Sequence, residues 1–452
     1  MTNARGRRRP VPRRSGAARS TTPAGAQDRV PPEELTLRLG EAAHGGACVA
    51  RDGGGRVVFV RHGLPGELVR ARVTSVRNRL ALADAVEVLE ASPDRVPSVW
   101  PDAGPAGVGG AELAHVAPCA QRRWKADVVR GQLRRIGGQE LWDAVDAIGG
   151  VEVLPAPGDM APDDPLLQRR TRIEVVIDHD GRPAMARHRG HDLVPLTSMP
   201  LAVRGIEDLD LFSASSPWAG LWRPGSRVRA LAPTGDSPHV LVGRQLFDSQ
   251  GCKVRREVLD WVVEVGGQVR HFAVRPAGFW QTHREGAGVL AQGVLDAAKV
   301  APGDRVMELY SGAGLFSLFL AESVGPRGRV LTLEGDEGAV VDARANTASQ
   351  AAVETCVGRV DRDGVADLAG ELGARADLVV LDPPRIGAGA QVCEAIAATE
   401  ARRVVLVSCD PAAGARDLAS LVGAGYVVES LRAWDLFPHT HHVEFIAGLV
   451  RP

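Results

Sequence analysis

No two cysteines of this sequence form a Cys-x-x-Cys pair; the six, at positions 48, 119, 252, 356, 393 and 409, are scattered. That spacing argues against a zinc site, an iron–sulfur cluster or a disulfide framework, and it suits a reducing cytosol. No apolar run approaches the ~18 residues of a membrane span. The N-terminus also lacks the apolar core of a signal peptide. The expectation is a cytoplasmic chain with no membrane segment and no bound metal. Acids are missing from residues 1–20, which hold seven arginines, although the whole chain has a formal net charge of −1. Overall charge therefore predicts no partner, but its distribution does. Residues 1–32 have almost no large apolar side chains and read as a disordered basic tail. Two readings of that tail stand open: a cationic arm that meets phosphates without sequence preference, or a solvated tail of no consequence.

At 452 residues the chain exceeds one ordinary core, so two or three domains are expected. Residues 33–92 read as a small β-barrel. Leu35, Leu37 and Leu39 alternate with polar neighbours, and short strands recur between glycine turns. Arg70, Arg72, Arg77 and Arg79 form either a phosphate-facing stripe or ordinary surface charge. Residues 93–265 read as a central α+β region, with helical spacing over Gln121–Ile136 and a basic strand from Gln168 to Ile177 that turns at Gly181-Arg182. Its arginines either contact RNA or cover a solvated sheet face. From 266 to 452, strands and helices alternate, which predicts a doubly wound α/β sheet.

The centre of that block is Val306-Met307-Glu308-Leu309-Tyr310-Ser311-Gly312-Ala313-Gly314-Leu315-Phe316: an apolar strand, a glycine turn and the start of a helix. The glycines let backbone approach a ligand, and the helix start offers free N–H groups. Glu334 ends the next strand, at the offset where an acid takes ribose hydroxyls in a Rossmann-like sheet. A lone Gly-x-Gly is as consistent with a plain turn. Two further strands, Leu378–Leu381 and Val404–Val407, also end in polar residues, Asp382 and Ser408-Cys409-Asp410, at the same edge. Cys409 is a candidate thiolate nucleophile, helped by the helix that Pro411 starts and by Arg416 within it; the alternative is a small buried hydrophobe. Asp382-Pro383-Pro384-Arg385 is a rigid shelf for a flat base or a strand-ending turn. In Phe437-Pro438-His439-Thr440-His441-His442-Val443-Glu444, adjacent strand positions would point His441 and His442 to opposite faces, which is poor for a metal. His442 and Glu444 would share a face as a base and an orienting partner, unless the segment is a surface turn.

These motifs, in this order, resemble the RNA uracil-5-methyltransferase family. Those that carry the resemblance are Tyr310–Leu318, Asp382–Gly387, Ser408–Ala412 and Phe437–Glu444, together with Phe279-Trp280-Gln281-Thr282-His283. Residues 33–92, with Gly45-Gly46 and Gly63-Leu64-Pro65-Gly66-Glu67, resemble the TRAM domain, an RNA-binding barrel. The resemblance implies a Rossmann-like class I methyltransferase sheet behind an OB-like barrel. It also implies methyl transfer from S-adenosylmethionine to carbon 5 of a uridine through a covalent cysteine adduct. On it, Cys409 is the nucleophile and Glu444 the base, and the cofactor lies against Gln281, Tyr310, Gly312, Gly314, Glu334 and Asp382. The partner is ribosomal or transfer RNA, and a monomer is expected. Many relatives carry a Cys-Gly-Gly-Cys iron–sulfur motif; here the corresponding stretch reads Val108-Gly109-Gly110-Ala111, so no cluster is expected. His283 and Asp410 stand where asparagine is usual. Competing readings are an RNA-binding protein with a degenerate methyltransferase domain, or a methyltransferase for a cytosine or a non-nucleic-acid substrate. A nicotinamide dehydrogenase fits least, since the third glycine is missing.

Overall fold

The computed structural model describes residues 33–161, 164–188, 190, 192–373 and 375–452. The basic tail, 1–32, lies outside the described residues. Six strands come first: β1 (Glu34–Arg38), β2 (Ala42–Ala43), β3 (Ala47–Arg51), β4 (Val57–Arg61), β5 (Leu68–Arg77) and β6 (Leu80–Glu90). In β5, Val69, Ala71 and Val73 are buried while Arg70 and Arg72 face out, the period of two that a half-buried strand requires. The strands pair in the order β1-β5-β6-β4-β3-β2. β1 and β2 are consecutive in the chain, and no pairing between them closes the ladder among the described residues. The expected barrel is therefore an open sheet. The expected arginine stripe is also shortened: Arg72 pairs with Glu34, and Arg70 with Glu34 and Glu87.

Two helices, α1 (Pro118–Arg135) and α2 (Gly138–Ala147), lead to a short strand, β7 (Val153–Pro155). A second sheet follows, built from β8 (Arg172–Ile177), β9 (Pro183–Ala186), β10 (Leu193–Pro195), β11 (Arg227–Leu231), β12 (His239–Val242) and β13 (Gln245–Asp248), with α3 (Arg204–Glu207) between β10 and β11. It pairs antiparallel in the order β10-β9-β8-β11-β12-β13 over a core that holds Trp100, Trp218 and Trp222. The arginines that read as an RNA-facing strand are used internally. Arg169 is buried and pairs with Asp159 and Asp164. Arg170 donates to the carbonyl of Gly110 at 2.6 Å, and Arg172 to the carbonyls of Gly278 and Trp280 at 3.2 Å. A buried guanidinium needs such acceptors, and the turns around it supply them.

A hairpin, β14 (Leu259–Val265) and β15 (Gln268–Val274), precedes the last unit. The chain then alternates through α4 (Gly286–Ala298), β16 (Arg305–Leu309), α5 (Leu315–Val324), β17 (Arg329–Glu334), α6 (Glu337–Asn346), β18 (Val353–Val357) and α7 (Arg362–Leu372). It continues through β19 (Leu378–Leu381), α8 (Ala390–Ala398), β20 (Arg403–Ser408), α9 (Pro411–Gly423), β21 (Val427–Asp435) and β22 (Glu444–Val450). The order is β18-β17-β16-β19-β20-β22-β21-β7, parallel from β18 to β20, with β22 antiparallel to both neighbours. The central strands are continuous apolar runs because helices cover both faces. Leu133, Leu141, Leu368, Val392 and Leu418 pack on one side, and Leu290, Val294, Leu318 and Phe319 on the other. The strand order reverses between β16 and β19. Ligands of doubly wound sheets bind at such a switch point, outside the carboxyl ends of the strands. Among the described residues, no helix is long and apolar enough to cross a membrane.

Candidate active site

The glycine turn leaves β16 through Tyr310, Gly312 and Gly314, all with positive φ (62°, 54° and 84°). A Cβ on Gly314 would lie 3.2 Å from Cα of Ala343, so glycine there lets α5 pack against α6. A Cβ on Gly312 would meet nothing, so that position opens outward. The N–H of Gly312 donates to Oε2 of Glu334 at 3.0 Å, and Oε1 of Glu334 accepts from the N–H of Asp336 at 2.8 Å. Two polar atoms on this strand and turn, Oγ of Ser311 and Oε1 of Glu308, are buried without a hydrogen-bond partner among the described residues. Oε2 of Glu308 accepts from the hydroxyl of Ser317 at 2.5 Å. Burial, with Asp382 and Glu334 nearby, pushes the Glu308 carboxyl up to about 8. Burial alone pushes Asp382 up to about 7.

Strand register brings two candidate residues together. Ser408 lies opposite Phe445 across β20 and β22, so the register continued one residue past the end of β20 sets Cys409 against Glu444, the first residue of β22. Their electrostatics agree with that adjacency. Burial raises the Cys409 thiol to about 12, with Glu444 and then Asp382 adding to it and Arg385 opposing. Burial likewise raises Glu444 well above the usual carboxylate range, with Asp382 adding and Arg385 again opposing. Tyr310, Glu334, Asp382, Cys409 and Glu444 thus gather at one rim. Gln281 is half-buried near the start of α4, where its carbonyl accepts from the Thr171 hydroxyl at 3.4 Å. Among the described residues, no hydrogen bond joins its side chain to the glycine turn. It also lines a separate cleft of about 850 Å³ between the β14–β15 hairpin and α4.

Several expectations change. The cation facing Cys409 is Arg385, in the Asp-Pro-Pro-Arg loop, rather than Arg416. His441 and His442 do not point to opposite faces: their ring centroids are 4.1 Å apart, because both sit in the turn before β22. His442 packs edge-on against Phe437, and among the described residues no hydrogen bond joins it to Glu444 as a base and its orienting partner would be joined. That loop is held by segments far away in the chain. The N–H of His439 donates to Oε1 of Gln121 at 2.6 Å, and the N–H of Leu113 to the carbonyl of His439 at 2.8 Å. Nζ of Lys125 donates to Asp435 at 2.5 Å and to the carbonyl of Phe437 at 3.0 Å. His441 lies 3.2 Å from Oε2 of Glu112. His283, at the position where asparagine is usual, pairs through Nε2 with Asp159 at 3.0 Å, while its Nδ1 accepts from the N–H of Glu285. Asp410 caps α9, with Oδ1 accepting from Ala412 and Ala413. The Arg385 signal was present in its motif; Gln121, Lys125 and Glu112 left none.

Residues 373–451 match the family described as tRNA (Uracil-5-)-methyltransferase, and residues 33–86 match the TRAM domain. A Streptomyces avermitilis protein described as an uncharacterized RNA methyltransferase is 38% identical over 445 residues, covering 92% of this chain and 98% of its own. The chain belongs to the S-adenosylmethionine-dependent RNA uracil-5-methyltransferase family. A Halomonas elongata relative, named 23S rRNA (uracil(1939)-C(5))-methyltransferase RlmD, is 31% identical over 504 residues, covering 99% of this chain and 96% of its own. Among solved structures, the Pyrococcus abyssi tRNA (uracil-54, C5)-methyltransferase in complex with S-adenosyl-L-homocysteine shares the fold. Its TM-score is 0.65 at 22% identity, covering 92% of this chain and 99% of that one.

Proposed function

We propose that this member of the family methylates carbon 5 of a uridine in ribosomal or transfer RNA through a covalent adduct with Cys409. The observation that carries the proposal is the β20–β22 register, with Ser408 opposite Phe445; continued by one residue it sets Cys409 against Glu444, on the edge of the sheet where the glycine turn also opens. Carbon 5 of uracil is a poor nucleophile. In this reading, Sγ of Cys409 adds to carbon 6, and the ring electrons move to form an enolate that makes carbon 5 reactive. S-adenosylmethionine, when bound, supplies the methyl group as a sulfonium-activated electrophile. Glu444 then takes the proton from carbon 5, and the Sγ–carbon 6 bond breaks to restore the double bond. The thiol must ionise first. Arg385 favours that, while buried Glu444 and Asp382 oppose it.

The rim suits the cofactor. Glu334 stands where ribose hydroxyls are taken, Ser311 offers an unused buried hydroxyl, and buried Asp382 and Glu308 suit a cationic ligand. In our reading Tyr310, Gly312 and Gly314 shape the floor, and Gln281 reaches in from the start of α4. The target uridine leaves its stack to present both faces. We divide the chain as an RNA-binding sheet at 33–92, a central region at 93–265 whose residues 118–155 pack into the last sheet, and the methyltransferase domain at 266–452 completed by that segment, acting as a cytoplasmic monomer.

The test is methyl transfer from labelled S-adenosylmethionine to RNA, with 5-methyluridine mapped in the product. Cys409→Ala is expected to abolish transfer and any denaturant-resistant protein–RNA species. A Cys409→Ala protein that still makes 5-methyluridine removes the covalent mechanism.

A further inference from the structure

Asp410 places a carboxylate one residue from the candidate nucleophile, yet the charges that oppose ionisation of Cys409 come from Glu444 and Asp382. The reason is where its oxygens go. Oδ1 is taken by the N–H groups of Ala412 and Ala413, at 3.0 and 2.8 Å. Oδ2 lies 3.2 Å from Nε2 of His44, which belongs to the turn between β2 and β3 of the N-terminal sheet. That turn is wedged into the rim. A Cβ on Gly46 would lie 2.9 Å from Cβ of Glu112 and 3.4 Å from Cβ of His441, and the ring of His44 meets that of His441 edge-on at 6.1 Å. The groups that face His44 are therefore Asp410 and His441, with Glu112 behind His441. Burial would raise the Asp410 carboxyl, but His44 and the helix N–H groups hold it down to about 2, so it stays charged.

We infer that His44 is a positioning residue for the methyl-transfer site: by holding Oδ2 of Asp410, it keeps that negative charge turned away from Cys409. The inference rests on the reading of Cys409 as nucleophile. It gives the N-terminal sheet a second role, at the nucleophile loop, beside the RNA binding proposed for it. Without His44, Oδ1 keeps its two N–H donors but Oδ2 loses its partner, so the carboxylate is free to rotate about that cap and bring Oδ2 nearer the sulfur, where a like charge disfavours the thiolate.

The experiment compares His44→Ala, Asp410→Asn and the double variant in methyl transfer to RNA. His44→Ala is expected to lower kcat about tenfold, the effect of one pKa unit on thiolate fraction, with the KM for RNA unchanged. Adding Asp410→Asn to His44→Ala is expected to restore kcat to that of Asp410→Asn alone, because no charge remains to be misplaced. A His44→Ala variant with unchanged kcat, with a raised KM only, or with a loss that Asp410→Asn does not relieve, overturns the inference. A second readout needs no substrate: iodoacetamide labelling of Cys409, followed by peptide mass, should shift to higher pH in His44→Ala and return in the double variant. An unshifted profile also overturns the inference. Failure of the nucleophile reading is seen separately, as methyl transfer by Cys409→Ala.

Discussion

The N-terminal sheet and the candidate rim use the same residue types under opposite conditions. On β5, Arg70 and Arg72 face water and pair with Glu34 and Glu87, and all four side chains keep at least 37% of their surface exposed. At the rim, Glu308 and Glu444 are 1% and 5% exposed, and burial raises both. Solvent screens the first set, so its pairs hold little energy. The second set cannot all be charged at once without a large penalty. A charged residue therefore says little about function by its type alone. Its burial decides whether it decorates a surface or stores reactivity.

The sharpest way to break this contrast is Glu444→Gln. The amide keeps the shape but takes no proton from carbon 5, so turnover should fall about 10²–10⁴-fold. An RNA–protein adduct should persist on a denaturing gel; its absence, with an active parent enzyme, would exclude Glu444 as the base. Glu308→Gln probes the other buried acid. Its folded value, about 8, lies above the ordinary ~4.3. A raised value means that the proton stabilises the fold. That stability is fully present below about pH 4 and is lost as pH rises through about 8. The parent protein should thus melt progressively lower between those limits, and Glu308→Gln, whose amide oxygen still accepts from Ser317, should flatten the trend in calorimetry. The smallest effect belongs to the exposed sheet: replacing Arg70 and Arg72 together by Ala should change urea-unfolding free energy by less than about 1 kcal/mol. A larger loss would mean that those surface pairs are not screened as their exposure implies.

Much of the geometry of the candidate rim was legible because its signals are local. An apolar run ending in Tyr310, Glu334, Asp382 or Cys409 marks both a buried parallel strand and the edge where it stops. Parallel register then gathers those ends without further instruction. The rest was not legible because the partners are distant. Gln121 and His439 bond across 318 positions. Arg169, Arg170 and Arg172 read as a basic strand, since nothing nearby indicates that Asp159, Gly110 and Gly278 will meet them inside. The histidines at 441 and 442 were placed on a strand that begins only at Glu444, so a wrong local geometry sent their rings apart.

The short strand β7 has a practical consequence. It pairs in parallel with β21 and forms the outer edge of the eight-stranded sheet, and Leu133 and Leu141 of the preceding helices enter the same core. The catalytic unit thus begins twice in the chain, once near 118 and again after the second sheet. Cutting a gene at 266 to express the methyltransferase part alone would strip a strand from an open edge and uncover apolar surface. Such a fragment invites aggregation, whereas a version that retains 118–156 through a short artificial linker keeps the edge covered.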